Sequence, residues 1–85
     1  METGLFYVYV LQNLEHRLYI GFTTDLNKRV QRHQENRSGW TKEKGPWELV
    51  YIETYVSRKE ALRRERQLKN GKANQELRKK LSSEN

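Results

Sequence analysis

The residues best placed to do chemistry in this sequence are those that interrupt its apolar patterns. Leu26, Arg29, Val30 and His33 recur at i, i+3, i+4 and i+7, so on a helix they share one face. An arginine and a histidine therefore lie on the stripe that packs inward, while Lys28, Gln31 and Arg32 point elsewhere. An arginine there often carries its charge past the core to water. A second stretch repeats the oddity: Ala61, Leu62, Glu65 and Leu68 make an apolar stripe broken by a carboxylate. An unpaired buried carboxylate is costly, so Glu65 needs a cation or a hydrogen-bond partner. It either closes an internal ion pair, for instance with Arg29, or serves as a metal ligand at the edge of the core. Tyr9 and Tyr19 complete the set. Aromatic residues favour strands for packing alone, but a phenol next to an arginine and a metal can act as a general base or phosphate ligand.

The elements that must position these groups are legible along the chain. Leu5–Leu11 is aromatic and β-branched and reads as a strand, with Tyr7, Tyr9 and Leu11 to one side and Phe6, Val8 and Val10 to the other. Polar residues 13–16 turn the chain into a second strand, Arg17–Gly21, giving a hairpin. Thr24 or Asp25 can cap a helix expected from about Asp25 to Asn36, followed by a loop over residues 37–46 punctuated by Gly39, Gly45 and Pro46. A third strand runs over Trp47–Val56. Ser57 and Glu60 then form a capping box, with Val56 and Ala61 as its hydrophobic staple. That helix should reach Asn70 with Gly71 as its stop, and Asn74 should cap a last helix bearing Leu77 and Leu81. The order β-β-α-β-α-α implies an α+β domain, a three-stranded antiparallel sheet packed with three helices, taking in residues 1–85 as one unit.

Composition narrows the chemistry. With no cysteine and two histidines, a thiolate nucleophile, disulfides and a structural zinc centre are excluded, so any metal is held mainly by oxygen. No apolar run approaches a membrane span and no secretory leader is evident, so the expected location is cytoplasmic. The net charge is +6, and residues 58–80 carry ten basic side chains against three acidic ones, while residues 1–57 balance seven against seven. A basic block on a neutral domain suits a polyanion, most often nucleic acid, although a solvated basic helix face has the same pattern.

Taken in order, these segments resemble the GIY-YIG nuclease family. Tyr7-Val8-Tyr9 resembles its first motif and Tyr19-Ile20-Gly21 its second. Gly21–Leu26 followed by Arg29 and His33, then Gly45–Val50, then Glu60–Glu65, match the stretches that follow. The likeness runs from about Phe6 to Leu81. It is closest to small stand-alone bacterial members, then to the catalytic domain of excision-repair endonucleases and the structure-specific endonuclease subunit of eukaryotes. The resemblance implies that Tyr9 and Tyr19 lie side by side near a scissile phosphate, that one of them helps deprotonate water, and that Arg29 contacts the phosphate. It implies that His33 supports the base and that Glu65 holds one divalent cation, Mg2+ or Mn2+. Two positions depart from the family pattern: Tyr7 stands where the family name has glycine, and Phe22 where excision-repair nucleases have lysine. Neither Asn70 nor Asn74 has the spacing of the asparagine that some members carry after the metal-binding helix.

The expected function is therefore a metal-dependent DNA endonuclease, structure-directed or weakly sequence-specific, in DNA repair or recombination. Lys42, Arg58, Lys59, Arg63, Arg66, Lys69 and Lys72, with Arg78 and Lys79 beyond them, are expected to hold nucleic acid, DNA ahead of RNA. A monomer is assumed, with room for a protein partner in targeting. The alternative is a non-catalytic nucleic-acid-binding module that retains the fold.

Overall fold

A hairpin built on one asparagine starts the chain. Strand β1 (Phe6–Asn13) pairs antiparallel with β2 (Leu18–Thr23), from Tyr7 opposite Thr23 to Gln12 opposite Leu18. At the turn, Asn13 Oδ1 accepts the N–H groups of Glu15 at 3.0 Å and Arg17 at 2.9 Å. His16 sits there at φ 64°, in the left-handed region, at a cost of about 1–2 kcal/mol that the closed turn offsets. Both strands run two residues beyond their expected ends, because backbone pairing continues to Asn13, opposite Trp47, and to Thr23, opposite Tyr7. This computed structural model describes residues 4–34 and 46–83. The expected end of the first helix near Asn36, and Gly39, Lys42 and Gly45 in the expected loop, lie outside the described residues.

Helix α1 (Leu26–Gln34) begins where Asp25 Oδ1 accepts the Lys28 N–H at 3.1 Å. Asp25 is therefore its N-cap, satisfying a donor that the first helical turn leaves open. Strand β3 (Trp47–Tyr55) pairs with the other edge of β1, giving the order β2-β1-β3. Opposite Val10 stands Tyr51 and opposite Leu11 stands Leu49, so Val50 is an extra residue in a bulge. Simple alternation would put Trp47, Leu49, Tyr51, Glu53 and Tyr55 on one face. The bulge divides them.

Two cores result, one on each face of the sheet. Tyr9, Leu11, Trp47 and Leu49 pack with Leu26 and Val30 of α1. Val8, Val10 and Ile20 pack on the opposite face with Ala61 and Leu68 of α2 (Arg58–Lys69) and Leu77 of α3 (Gly71–Ser83). The α+β class, the antiparallel three-stranded sheet and the three helices are as the sequence predicts. No helix of the described residues is long and apolar enough to cross a membrane.

Two local expectations are corrected. Ser57 Oγ does accept the Glu60 N–H at 3.3 Å, but Val56 is 81 % exposed and makes no staple on the buried Ala61. Nor is Asn74 a cap. The last helix begins at Gly71, whose φ of 61° turns the corner in one residue. Asn74 lies inside that helix, and its Nδ2 donates to the Leu68 carbonyl at 2.8 Å, tying the two helices together.

A polar cluster fastens α2 to β3. The Glu53 carboxylate accepts from Arg64 Nε at 2.9 Å and Nη2 at 3.1 Å, and from the phenols of Tyr51 at 2.5 Å and Tyr55 at 2.6 Å. Burial alone would raise the Glu53 pKa, but these donors outweigh it and hold the carboxyl below its ordinary 4.5. The same contacts, with burial the largest cause, push Tyr55 up to about 12. A depressed carboxyl pKa stabilises the fold above the unfolded value and loses that contribution as pH falls through the folded one. Glu53→Gln should therefore cost about 1–3 kcal/mol at neutral pH, which lowers Tm by roughly 4–8 °C per kcal/mol in a domain of this size. Thermal unfolding followed from pH 7 to 3 should show the gap between the two proteins closing below pH 4.5.

Candidate active site

Opposite Tyr9 on β2 stands Gly21. A Cβ at Gly21 would fall 2.5 Å from Tyr9 Cζ and 2.8 Å from Cε1, so only glycine leaves room for this phenol to lie across the neighbouring strand. Tyr9 is buried there completely. Its hydroxyl meets His33 Nε2 of α1 at 3.0 Å. Tyr19, two residues before Gly21 on the same face of β2, packs against both: ring centroids lie 6.2 Å apart for Tyr9 and Tyr19, 5.9 Å for Tyr9 and His33, and 4.7 Å for Tyr19 and His33.

The helical face read from the sequence is the one that turns inward. Leu26, Arg29 and Val30 are half-buried and His33 is buried, while Lys28, Gln31 and Arg32 are exposed. Arg29 lies near enough to Tyr9 for its charge to act on the phenol. Glu65 arrives from the other side. Its helix lies on the opposite face of the sheet, yet its carboxylate is near enough to act on Tyr9 electrostatically. The tyrosines are thus not roofed by both helices on one surface. Arg29 and Glu65 approach them from the two faces. Among the described residues, the ion pair Glu65 makes is with Lys69, at 3.1 Å and one helical turn on, and not with Arg29. The Glu65 side chain is 19 % exposed and that of Lys69 51 %. An i, i+4 pair of this exposure contributes only about 0.3–0.5 kcal/mol and is readily exchanged for another cation.

These surroundings set the protonation states. Burial pushes the Tyr9 phenol upward, the neighbouring Tyr19 adds to the shift, Arg29 opposes it, and Glu65 adds again. Tyr9 is a neutral phenol at physiological pH. Burial lowers the His33 pKa below its ordinary 6.5, reinforced by the charges of Arg29 and Arg32. The imidazole is therefore neutral near pH 7. In the tautomer protonated at Nδ1, Tyr9 donates its hydroxyl proton and Nε2 accepts it. A permanent cation, two phenols, a neutral imidazole and a carboxylate within electrostatic reach are suited to phosphate chemistry.

The remaining basic residues are dispersed. The Arg58 guanidinium lies 5.7 Å from the Phe22 ring centroid. Lys59, Arg63, Arg66 and Lys72 are exposed, and Lys69 borders Glu65. Two features escaped the sequence reading. One is the space that Gly21 leaves for Tyr9, although a glycine inside an otherwise continuous strand is a signal of close approach. The other is the Glu65–Lys69 pair, which helical spacing alone could have suggested.

Comparison with known proteins gives concordant findings. A protein-family model described as the GIY-YIG catalytic domain matches residues 5–80. A UPF0213 protein of Staphylococcus epidermidis is 39% identical over 72 residues, covering 84% of this chain and 88% of its own. One from Clostridium perfringens is 38% identical over 72 residues, covering 84% and 77%. The solution structure of a UPF0213 protein from Bacillus halodurans superposes with a TM-score of 0.54 at 31% identity, over 86% of this chain and 80% of that one.

Gly21→Ala should expel the Tyr9 ring and destabilise the protein by about 1–3 kcal/mol. Loss of the Tyr9–His33 hydrogen bond should appear as a changed His33 imidazole spectrum by NMR, beyond the fall in Tm. In the wild type the His33 resonances should titrate with a midpoint below 6.5. Because that pKa is depressed on folding, His33 stabilises the native state above pH 6.5 and loses this contribution as pH falls through its midpoint.

Proposed function

The chain belongs to the GIY-YIG family of nuclease catalytic domains, and from that premise we propose that it is a divalent-metal-dependent endonuclease hydrolysing phosphodiester bonds of DNA. The observation that carries this reading is the meeting of Tyr9, Tyr19, Arg29 and His33 around one buried phenol, with Glu65 beside them.

Each residue has a role that follows from its placement. Arg29 binds the scissile phosphate through its permanently charged fork and stabilises the charge that builds on it. Tyr19 is half-buried and lines a surface cleft, whereas Tyr9 is sealed behind it. Tyr19 is accordingly the phenol that meets the attacking water and orients it, taking the water's proton on its hydroxyl oxygen as it gives up its own proton to solvent in the cleft. Tyr9 and neutral His33, joined by their hydrogen bond, fix its ring from behind. Glu65 suits a hard cation: it is a half-buried oxygen ligand whose pairing with Lys69 is weak. Among the described residues no group of three acidic or histidine side chains surrounds it, so Mg2+ or Mn2+ would be held by one carboxylate and keep most of its waters. When bound, such an ion supplies positive charge over the phosphate and the departing oxygen. Cleavage that is structure-directed or weakly sequence-specific, as in repair or recombination, is the form of the activity proposed.

The test is cleavage of nicked, branched and single-stranded DNA with Mg2+ or Mn2+. Glu65→Ala and Arg29→Ala should each reduce the rate by at least a hundredfold, the scale of losing one transition-state charge partner. Activity should also decline on the acid side, with a midpoint below 6.5 as His33 takes up a proton. Undiminished cleavage by Glu65→Ala would remove the metal assignment, and binding of DNA without cleavage of any substrate would favour a non-catalytic module.

A further inference from the structure

The sequence suggests a broad basic face, but the structure singles out a narrower path. Strand β2 is at the edge of the sheet, and a cleft lies at each of its ends. At the Thr23 end the cleft is lined by Lys28, Arg29 and Arg32 together with Asp25. At the Leu18 end, one cleft is lined by Tyr19, Lys69, Asn74 and Arg78, and it continues into a second that shares Leu18 and Arg78 and reaches His16. Neither cleft at the Leu18 end has an acidic residue in its lining. The two acids along the path are already engaged: Asp25 caps α1 and Glu65 pairs with Lys69. The candidate active site falls between the two ends. A further cleft, between α2, α3 and β3, is different in kind. There Glu76 accompanies Arg64 and Lys80, Arg64 is committed to Glu53, and the Lys80 ammonium lies 5.2 Å from the Tyr51 ring centroid.

Arg78 is held in place for such a role. Its Nε donates to Asn74 Oδ1 at 3.1 Å, and Asn74 is itself anchored through Nδ2 to the Leu68 carbonyl. With Nε so engaged, the terminal guanidinium nitrogens of this exposed residue are the donors left for phosphate.

We propose that one strand of nucleic acid lies along the β2 edge, its phosphates held by Arg32 at the Thr23 end and by Arg78 at the Leu18 end, with Asn74 as the positioning residue for Arg78. The proposal deepens the nuclease reading and rests on it for the identity of the ligand. Six strand residues span roughly 17 Å, about five steps of one strand stacked as in a duplex, rising ~3.4 Å each. The contact footprint is therefore about five nucleotides, with the scissile bond inside it.

The experiment measures binding in EDTA, where cleavage cannot occur, using labelled oligonucleotides of three, five and eight nucleotides over a salt series. Affinity should rise steeply from three to five nucleotides and little beyond. Arg32→Gln and Arg78→Gln should each weaken binding roughly fivefold and reduce the salt slope by about one. Lys79→Gln removes the same charge from the next residue in the chain, which lines neither cleft at the Leu18 end, and should have less than half that effect. Asn74→Ala should reproduce part of the Arg78→Gln loss and add little to it in the double variant, a non-additivity that general destabilisation would not produce. Equal losses for Lys79→Gln and Arg78→Gln, or none for Arg32→Gln and Arg78→Gln, overturn the path. In the second case, cleavage that still depends on Glu65 leaves the nuclease reading standing. Binding that follows the path without any cleavage has the opposite meaning, and a wild type that does not bind overturns both.

Discussion

The Tyr9 phenol occupies the space that any side chain on Gly21 would need, and much of the site depends on that close approach. With the ring laid across β2, its hydroxyl emerges beside His33 of α1, and Tyr19 fits against both rings. The constraint is steric before it is chemical. Burial then makes the chemistry specific, because it keeps the phenol protonated and the imidazole neutral, so that a single hydrogen bond defines the pair. Arg29 and Glu65 bring opposite charges to this neutral centre from opposite faces of the sheet.

The bulge at Val50 lets β3 serve both of those faces. By shifting the alternation of β3, it gives Trp47 and Leu49 to the core under α1 and Tyr51, Glu53 and Tyr55 to the face under α2 and α3. One short strand thereby serves two cores. Glu53 in turn fixes α2 through Arg64, and α2 is the helix that carries Glu65. The metal-binding candidate is thus positioned by a carboxylate cluster on the far side of the sheet from the tyrosines.

Much of this was legible in the sequence. The helical spacing of Leu26, Arg29, Val30 and His33 identifies the buried face of α1, and strand alternation separates the two faces of β1. The carboxylate in the apolar stripe of α2 marks Glu65. What the pattern could not show depends on pairing between distant segments. The bulge follows from how β3 registers against β1, and no local spacing encodes it. The room for Tyr9 exists only because Gly21 falls opposite it. Asn74 has the look of a cap, but its amide is drawn to the Leu68 carbonyl once Gly71 has turned the chain. The approach of Arg29 and Glu65 from opposite faces likewise depends on the order of strands rather than on either helix.

The central strand also orders how the molecule comes together. Strand β1 pairs on one side with β2, its immediate neighbour in the chain, and on the other with β3, which begins more than thirty residues later. The hairpin closes a short loop and carries little entropic cost, whereas joining β3 closes a long one. During synthesis the Tyr9–Gly21 contact can form as soon as the hairpin has emerged, but β1 keeps one unpaired edge until residue 55 is made. The chain therefore builds the floor of its site well before the sheet is complete, and β1 is the segment for which premature pairing with another chain is the principal hazard.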